Sequence, residues 1–508
     1  MSELCLAVDL GTGGPKVALV DPHGTIVGHE VLSVSTRFGT DGAAVQDAAE
    51  WWELIRAATT RLTTTHGRGR VVGVAVTGQY ASTVPVNANG EPTGPCLTWL
   101  DTRGAAHTRA ALGGPVQGYN PTKVLRFIRT NGGAPSLSGA DPVGQILYLQ
   151  AKEPELLART RWLLEPVDYL TMRFSGVASG THASRLALWM TDNRHLEHLA
   201  YDEGLLGLAG IDGSRLPPLL AFGEAVGTVS DALADELGLA RGAVVVTGMP
   251  DLHAAALGAG AVGAYEGHLA LSTTSWVSCP VPFKKTDAVH SIATVPGLSN
   301  DAYLVINNQE TGAGALDWLR RALGAPDHAS VTALAASSPP GARGVRFEPW
   351  LAGERSPSED KAARGGFANL SLQHDTSDLA RAVLEGVAAN SAWLFSYVER
   401  FVGQRLEPLR LLGGGAQSDL WAQIYADVLE RRVERVHDPL LAQTRGAALV
   451  AWAQLSRTPL AQLVREPPVD LFEPANQHVY RELVGELPRR FASQRRQRRR
   501  GARRPARA

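Results

Sequence analysis

Residues 4–21 read Leu4-Cys5-Leu6-Ala7-Val8-Asp9-Leu10-Gly11-Thr12-Gly13-Gly14-Pro15-Lys16-Val17-Ala18-Leu19-Val20-Asp21. Two apolar runs, Leu4 to Leu10 and Lys16 to Asp21, flank the turn-rich link Gly11 to Pro15, so the stretch predicts a β-hairpin. Glycines at such a tip let backbone N–H groups approach an anion closely. Thr12 adds a hydroxyl, Lys16 a cation, and Asp9 a carboxylate able to hold Mg2+ through water. The set suits a metal-bound polyphosphate. It equally suits an ordinary glycine-rich hairpin, and the tip alone does not decide between them.

Outward from the hairpin, helical periodicity covers Ala48 to Thr63, and strands follow at Val71 to Thr77 and Ala243 to Thr247. Helical spacing returns at Ser377 to Phe401 and Asp419 to Arg431, an alternation that predicts an α/β class. A second strand–tip–strand stretch runs from His268-Leu269-Ala270-Leu271 through Ser272-Thr273-Thr274-Ser275 to Trp276-Val277. It reads as an internal repeat, one copy opening each half, with two similar domains facing a cleft and a boundary near residue 255. The chain has 508 residues, too many for a single compact core.

No apolar run approaches the roughly 20 residues that span a bilayer, and Met1-Ser2-Glu3 lacks the basic region of a signal peptide. The three cysteines, Cys5, Cys96 and Cys279, form no metal or disulfide pattern, which predicts a reducing cytosol. Net charge is −1, yet ten of the 49 basic residues are arginines between Arg489 and Arg507. The remaining 39 face 50 acidic residues, so an acidic body carries a basic end. Residues 486–508 are expected to form a disordered tail that is solvated rather than bound to nucleic acid or anionic lipid.

Two further segments carry chemistry. Asp251 follows Thr247-Gly248-Met249-Pro250 at the start of a small-residue helix, where it reads as a helix cap or as a general base at the mouth of a cleft. Gly413 to Ser418 lie between a strand, Leu409 to Leu412, and a helix, where glycines let a phosphate or flat ligand rest on the backbone. Gly258, Gly260 and Gly263 satisfy G-x-G-x-x-G but sit within or after a helix, so they do not predict a dinucleotide fold. No G-x-x-x-x-G-K-[ST] loop occurs, and any ATP site is therefore not of the P-loop type.

Six segments, taken in order, resemble the FGGY carbohydrate kinase family over nearly the whole chain apart from the basic end. They are Asp9-Leu10-Gly11-Thr12 with Lys16; Gly78-Gln79 with Trp99-Leu100-Asp101-Thr102-Arg103; Pro250-Asp251 with Ala254-Ala255; Ser272 to Trp276; Trp350-Leu351-Ala352-Gly353-Glu354-Arg355-Ser356-Pro357 with Arg364-Gly365; and Gly413 to Trp421. The resemblance implies two actin-like (ribonuclease H-like) ATPase domains around a central cleft, residues 1–255 and 256–485, with ATP and Mg2+ as cofactors. It implies that Asp251 is the catalytic base and that Asp9 organises Mg2+ and its waters. Thr12, Lys16 and Thr274 would hold the β- and γ-phosphates; Gly414, Gly415 and Ser418, with Gly314 opposite, would line the nucleotide pocket. Gln79, Trp99 and Asp101 fall on the sugar side. Asp101 also reads as a turn residue, and Gln79 and Trp99 also read as packing residues.

Tyr80-Ala81-Ser82 follow Gln79 where glycerol kinases carry Arg-Glu, which sets glycerol aside. The xylulokinase-like branch looks closest, although Tyr80 and Ala81 replace its usual Met and His. The implied activity is phosphorylation of a ketopentose such as D-xylulose in the cytoplasm, by a protein with no membrane or nucleic-acid partner and room for a homodimer. Another ketose or polyol kinase, an actin- or chaperone-like ATPase, and a binding regulator without catalysis are the alternatives. Gly13, Gly14 and Pro15 depart from the family's first phosphate hairpin and predict a looser cradle, while Thr273, where Gly is usual in the second, predicts a crowded backbone approach to the γ-phosphate.

Overall fold

The computed structural model describes residues 2–299, 301–464 and 467–502, with side chains to residue 498. Strands β1 (Leu4–Gly11) and β2 (Gly14–Val20) pair antiparallel, with Asp9 opposite Lys16 and Gly11 opposite Gly14, so Thr12 and Gly13 alone make the tip. Strand β3 (Ile26–Val31) alternates exposed and half-buried residues, as the outer strand of a sheet should. Helix α1 (Ala48–His66) starts where the Asp47 carboxylate accepts the Ala49 N–H. Strand β4 (Val71–Gly78) runs parallel to β1. Strands β5 (Ala225–Thr228) and β6 (Val244–Val246) complete the order β5-β6-β4-β1-β2-β3. Met249 and Pro250 pair with Thr77 and Gly78 at the end of β4, which delivers Asp251 to the first position of helix α2 (Asp251–Gly258).

The second half repeats this plan. Strands β7 (Gly267–Leu271) and β8 (Ser275–Ser278) form a hairpin, followed by helices α3 (Gly314–Leu323) and α4 (Thr376–Val402). Strand β9 (Leu409–Leu412), helix α5 (Asp419–Leu429), strand β10 (Val433–Val436), helix α6 (Ala442–Ser456) and strand β11 (Val469–Phe472) complete a sheet of order β8-β7-β9-β10-β11. In each half a hairpin adjoins two parallel strands and then an antiparallel one. Helix α7 (Gln477–Ala502) comes last.

Helices α2 and α6 join the halves. Ala447, Ala448 and Ala451 of α6 pack among Cys5, Ala7, Ala18 and Ala75 of the first sheet. Leu252, Ala255 and Ala256 of α2 pack with Ala270, Leu412 and Val436 of the second. The two helices cross at glycines: a Cβ on Gly446 would lie 2.0 Å from the Ala254 carbonyl oxygen, and one on Gly258 would lie 1.8 Å from that of Ala442. The boundary expected at residue 255 therefore falls inside a helix that belongs to both cores.

The basic end departs from expectation. Residues 486–498, read as disordered, continue α7, whose Tyr480, Leu483, Leu487 and Phe491 form a buried stripe at helical spacing. Phe491 packs edge-on to Trp350 with ring centres 4.8 Å apart. Beyond the local Arg490–Glu486 pair, the acidic partners Glu348 of Arg490 and Asp360 of Arg498 lie more than 130 residues earlier and are invisible in sequence. Residues 503–508, also expected to be disordered, lie outside the described residues. Among the described residues no helix is long and apolar enough to cross a membrane, and Cys5, Cys96 and Cys279 are free and buried.

Candidate active site

Asp251 is half-buried at the N-terminus of α2. Burial first, and then the negative charge of Asp9, push its carboxyl up to about 7, while the Leu252 N–H and Lys16 oppose the shift. Asp9 is 2% exposed, and Lys16 Nζ lies 2.7 Å from its Oδ2. The first hairpin thus holds a lysine–carboxylate pair beside a carboxyl poised near neutrality.

Thr12, Gln79 and Trp99 meet in one buried network. Trp99 Nε1 donates to Thr12 Oγ1 at 3.1 Å, and Thr12 Oγ1 donates to Gln79 Oε1 at 3.4 Å. Gln79 Nε2 donates to Gln46 Oε1 at 3.0 Å, and Gln46 Nε2 returns to the Thr12 carbonyl oxygen at 2.8 Å. Beyond Gln79, the Ser82 N–H donates to the buried Glu165 at 3.0 Å, and burial pushes the Glu165 carboxyl up to about 8. Tyr80 lies between the halves: burial and then the charge of Asp251 push its phenol up, and Arg355 from the second half pulls it back.

The second tip is built from backbone. The Thr273 carbonyl oxygen accepts the Gly312 and Gly314 N–H groups at 2.9 and 3.1 Å, and that of Ser272 accepts the Ala313 N–H at 2.7 Å. Gly415 packs beneath Leu271 and Ala313, while Gly414 is exposed above it. Thr274, Gly314, Gly414 and Gly415 therefore gather at one end of the second sheet. Behind them Glu354, 1% exposed, accepts from Asn390 Nδ2 at 2.6 Å and from the Glu310 N–H at 3.1 Å. Burial raises its carboxyl to about 7. Arg355 pairs with Glu310 at 3.0 Å.

Residues 4–258 match the FGGY family of carbohydrate kinases, N-terminal domain, and residues 272–455 match its C-terminal domain. The chain belongs to the FGGY family. A xylulose kinase of Staphylococcus epidermidis is 27% identical, covering 94% of this chain and 94% of its own. A gluconokinase of Bacillus subtilis is 24% identical over 85% of this chain and 84% of its own. The crystal structure of xylulose kinase from Rhodospirillum rubrum superposes with a TM-score of 0.80 at 25% identity, covering 97% of this chain and 99% of that one. The repeated halves are the two actin-like domains of FGGY kinases.

Three of the expected site residues of this FGGY kinase are engaged by protein partners. Asp101, expected on the sugar, is 0% exposed. Its oxygens accept the Ala44 N–H at 3.1 Å, the Arg103 N–H at 3.1 Å and the Arg103 guanidinium at 2.7 Å, so it is a turn anchor saturated by protein donors. Ser418, expected at the nucleotide, caps α5 by accepting the Trp421 N–H at 3.2 Å. The Thr12 hydroxyl, expected on phosphate, is engaged by Trp99 and Gln79, which leaves Lys16 and the tip backbone to face an anion. The converse omission is Gln46, 1% exposed and bonded to both Thr12 and Gln79. Its place just before the α1 cap Asp47 was the only trace of it in sequence. Among the described residues no three His, Cys, Asp or Glu side chains cluster to hold a metal ion. The donors beside the first tip, the carboxylates of Asp9 and Asp251, fit Mg2+, which takes one or two carboxylates and completes its shell with phosphates and water.

Proposed function

We propose that this FGGY kinase transfers the γ-phosphoryl group of ATP to a hydroxyl of a ketopentose such as D-xylulose, in the cytoplasm. The observation that carries the reading is the Asp251 carboxyl, held near neutrality at a helix start between the two hairpin-bearing sheets. A base with that affinity ionises at working pH yet still accepts a proton. The xylulose kinase relative, aligned over 94% of both chains, supports the choice of sugar.

In this reading Asp251 Oδ takes the proton of the attacking hydroxyl. The sugar oxygen bonds to the γ-phosphorus as the bond to the β–γ bridging oxygen breaks, and ADP leaves. Mg2+, held by Asp9 with phosphate oxygens and water, would supply charge neutralisation on the β- and γ-phosphates. Lys16, anchored on Asp9, faces the same charge. Thr274 and Gly314 border the phosphates, and Gly414 and Gly415 offer a side-chain-free floor for the nucleotide. The Gln79–Gln46–Thr12–Trp99 network orients the sugar side. Movement at the crossing of α2 and α6 would close the cleft and exclude water as a competing acceptor.

The test is the purified protein with ATP, Mg2+ and a panel of ketoses, polyols and gluconate, read by mass spectrometry beside Asp251→Asn. A phosphorylated pentulose from wild type alone is the expected result. ATP turnover indifferent to every sugar would overturn it in favour of an actin- or chaperone-like ATPase, and a different phosphorylated product would reassign the substrate.

A further inference from the structure

Phosphoryl transfer gives the arginines of α7 no task, yet Arg490 and Arg498 are not free. Arg490 Nε lies 2.6 Å from Glu348 Oε1, Gln494 Nε2 bonds the other oxygen of that carboxylate, and Arg498 Nη2 lies 2.6 Å from Asp360 Oδ2. Glu348 and Asp360 bracket the segment that carries Trp350, Glu354 and Arg355. Both carboxylates are on the buried side of their pairs, with side chains 8% and 12% exposed against 32% for each arginine.

The bonds continue inward. Asp360 and Glu354 exchange backbone hydrogen bonds at 2.9 and 3.1 Å, so the partner of Arg498 is the cross-strand neighbour of Glu354. Glu354 accepts the Glu310 N–H, Arg355 pairs with Glu310, and the Ser356 N–H donates to the Asn308 carbonyl oxygen at 3.1 Å. Gln309 exchanges backbone bonds with Ser275 of the second hairpin at 2.8 and 3.2 Å. A continuous set of bonds thus runs from the outer helix to the hairpin.

We propose that α7 is a positioning element whose Arg490, Gln494 and Arg498 clamp residues 348–360, so that Glu354 and Arg355 are held against Glu310 beside the second hairpin. The kinetic part of this proposal rests on the sugar-kinase reading. A helix that merely covers apolar surface through Leu487 and Phe491 would need none of these ion pairs. Removing an arginine leaves a largely buried carboxylate without its cationic partner, and the segment is then free to shift.

The test uses the full chain with Arg490→Ala/Arg498→Ala, a swapped pair Arg498→Glu/Asp360→Arg, and Phe491→Ala as the packing control. The double variant should lose about fivefold in kcat, with the KM for ATP within about twofold of wild type, the size expected for lost ion pairs. The swapped pair should recover most of that loss relative to Arg498→Glu alone, and 0.5 M salt should lower wild-type kcat toward that of the double variant. Wild-type kinetics in the double variant, or a loss that follows melting temperature as in Phe491→Ala and is not recovered by the swap, would overturn the proposal. Hydrogen exchange over residues 348–360 reads the clamp without activity: faster exchange in the double variant is expected, and unchanged exchange overturns it. A wild type that phosphorylates no sugar, beside a double variant that shows this faster exchange, condemns the functional reading and leaves the clamp.

Discussion

The two halves end their central strands alike and then part company. In the first, Gly78 at φ +156° lies so close to Leu10 that a Cβ would sit 2.4 Å from its carbonyl oxygen. In the second, Gly413 at φ +96° lies against Leu271, where a Cβ would sit 2.6 Å from the oxygen. One residue before each leucine the chemistry divides. Asp9 faces Lys16 across the first hairpin, whereas Ala270 faces Trp276 across the second. The crossing helices repeat the contrast, since α2 begins with Asp251 and α6 with Ala442. Topology is duplicated while the charge of the hairpins is not: the first carries an acid–lysine pair, and the second carries neither.

Asp251→Asn should break this division most completely, with kcat falling about 10²–10⁴-fold and the fold retained. The carboxyl's folded-state pKa is raised to about 7, so its ionisation costs stability as pH climbs through that value. The Asn variant should therefore melt no lower than wild type at pH 8, and relatively lower at pH 5. In wild type, kcat/KM should rise about tenfold per pH unit below about 7 and level off above, because the base must be ionised. Lys16→Met should move that limb to higher pH, since the lysine's charge favours the Asp251 carboxylate. A limb that stays put would detach Asp251 from the first hairpin.

Gly446→Ala attacks the joint between the halves. The added Cβ meets backbone atoms, the Ala254 oxygen at 2.0 Å and the Gly258 nitrogen at 2.7 Å, which have no rotamer to yield. A loss of about 1–3 kcal/mol in urea unfolding is expected. Activity should drop with it, because α2 carries Asp251. Unchanged stability would mean that the helices do not cross this closely.

How far this was legible in the sequence depended on whether a residue's partners are local. The hairpins, with Asp9 and Lys16 seven positions apart, are local objects, and alternation around a glycine-rich tip in the first and a hydroxyl-rich tip in the second announced both. Asp251 was visible as an acid opening a helix, and Gly78 and Gly413 as strand-end glycines. Asp101 misled because, beside the Arg103 donors two residues on, it is closed off by the Ala44 N–H from 57 residues away. Arg490 and Arg498 misled for the same reason, since Glu348 and Asp360 are supplied by tertiary structure alone. Gln46 was illegible: a single Gln before a helix cap looks solvated until Thr12 and Gln79 are folded around it. Gln46→Ala should strand the Gln79 amide and the Thr12 carbonyl, raising the KM for sugar about tenfold, as expected for buried polar groups left unpaired. A rise in the KM for ATP instead would assign the network to the phosphate tip.

The smallest effect should come from exchanging residues between the two tips, and it measures how much of the contrast lies in side chains at all. A Cβ at Gly13 meets nothing within 4 Å, so Gly13→Ser adds a hydroxyl to the first tip without displacing an atom. One new hydrogen bond to phosphate contributes about 0.5–1.5 kcal/mol, which would lower the KM for ATP about twofold to tenfold. Thr273→Gly works the other way on the second tip. The Thr273 carbonyl keeps the Gly312 and Gly314 N–H groups whatever its side chain, so kcat should stay within about twofold of wild type if that tip acts through its backbone. Titrating ATP against both variants separates the cases. A tip that responds to a gained hydroxyl beside one indifferent to a lost one would confirm that the first hairpin binds through side chains and the second through main chain. Equal responses would mean that the two halves share their chemistry as well as their topology.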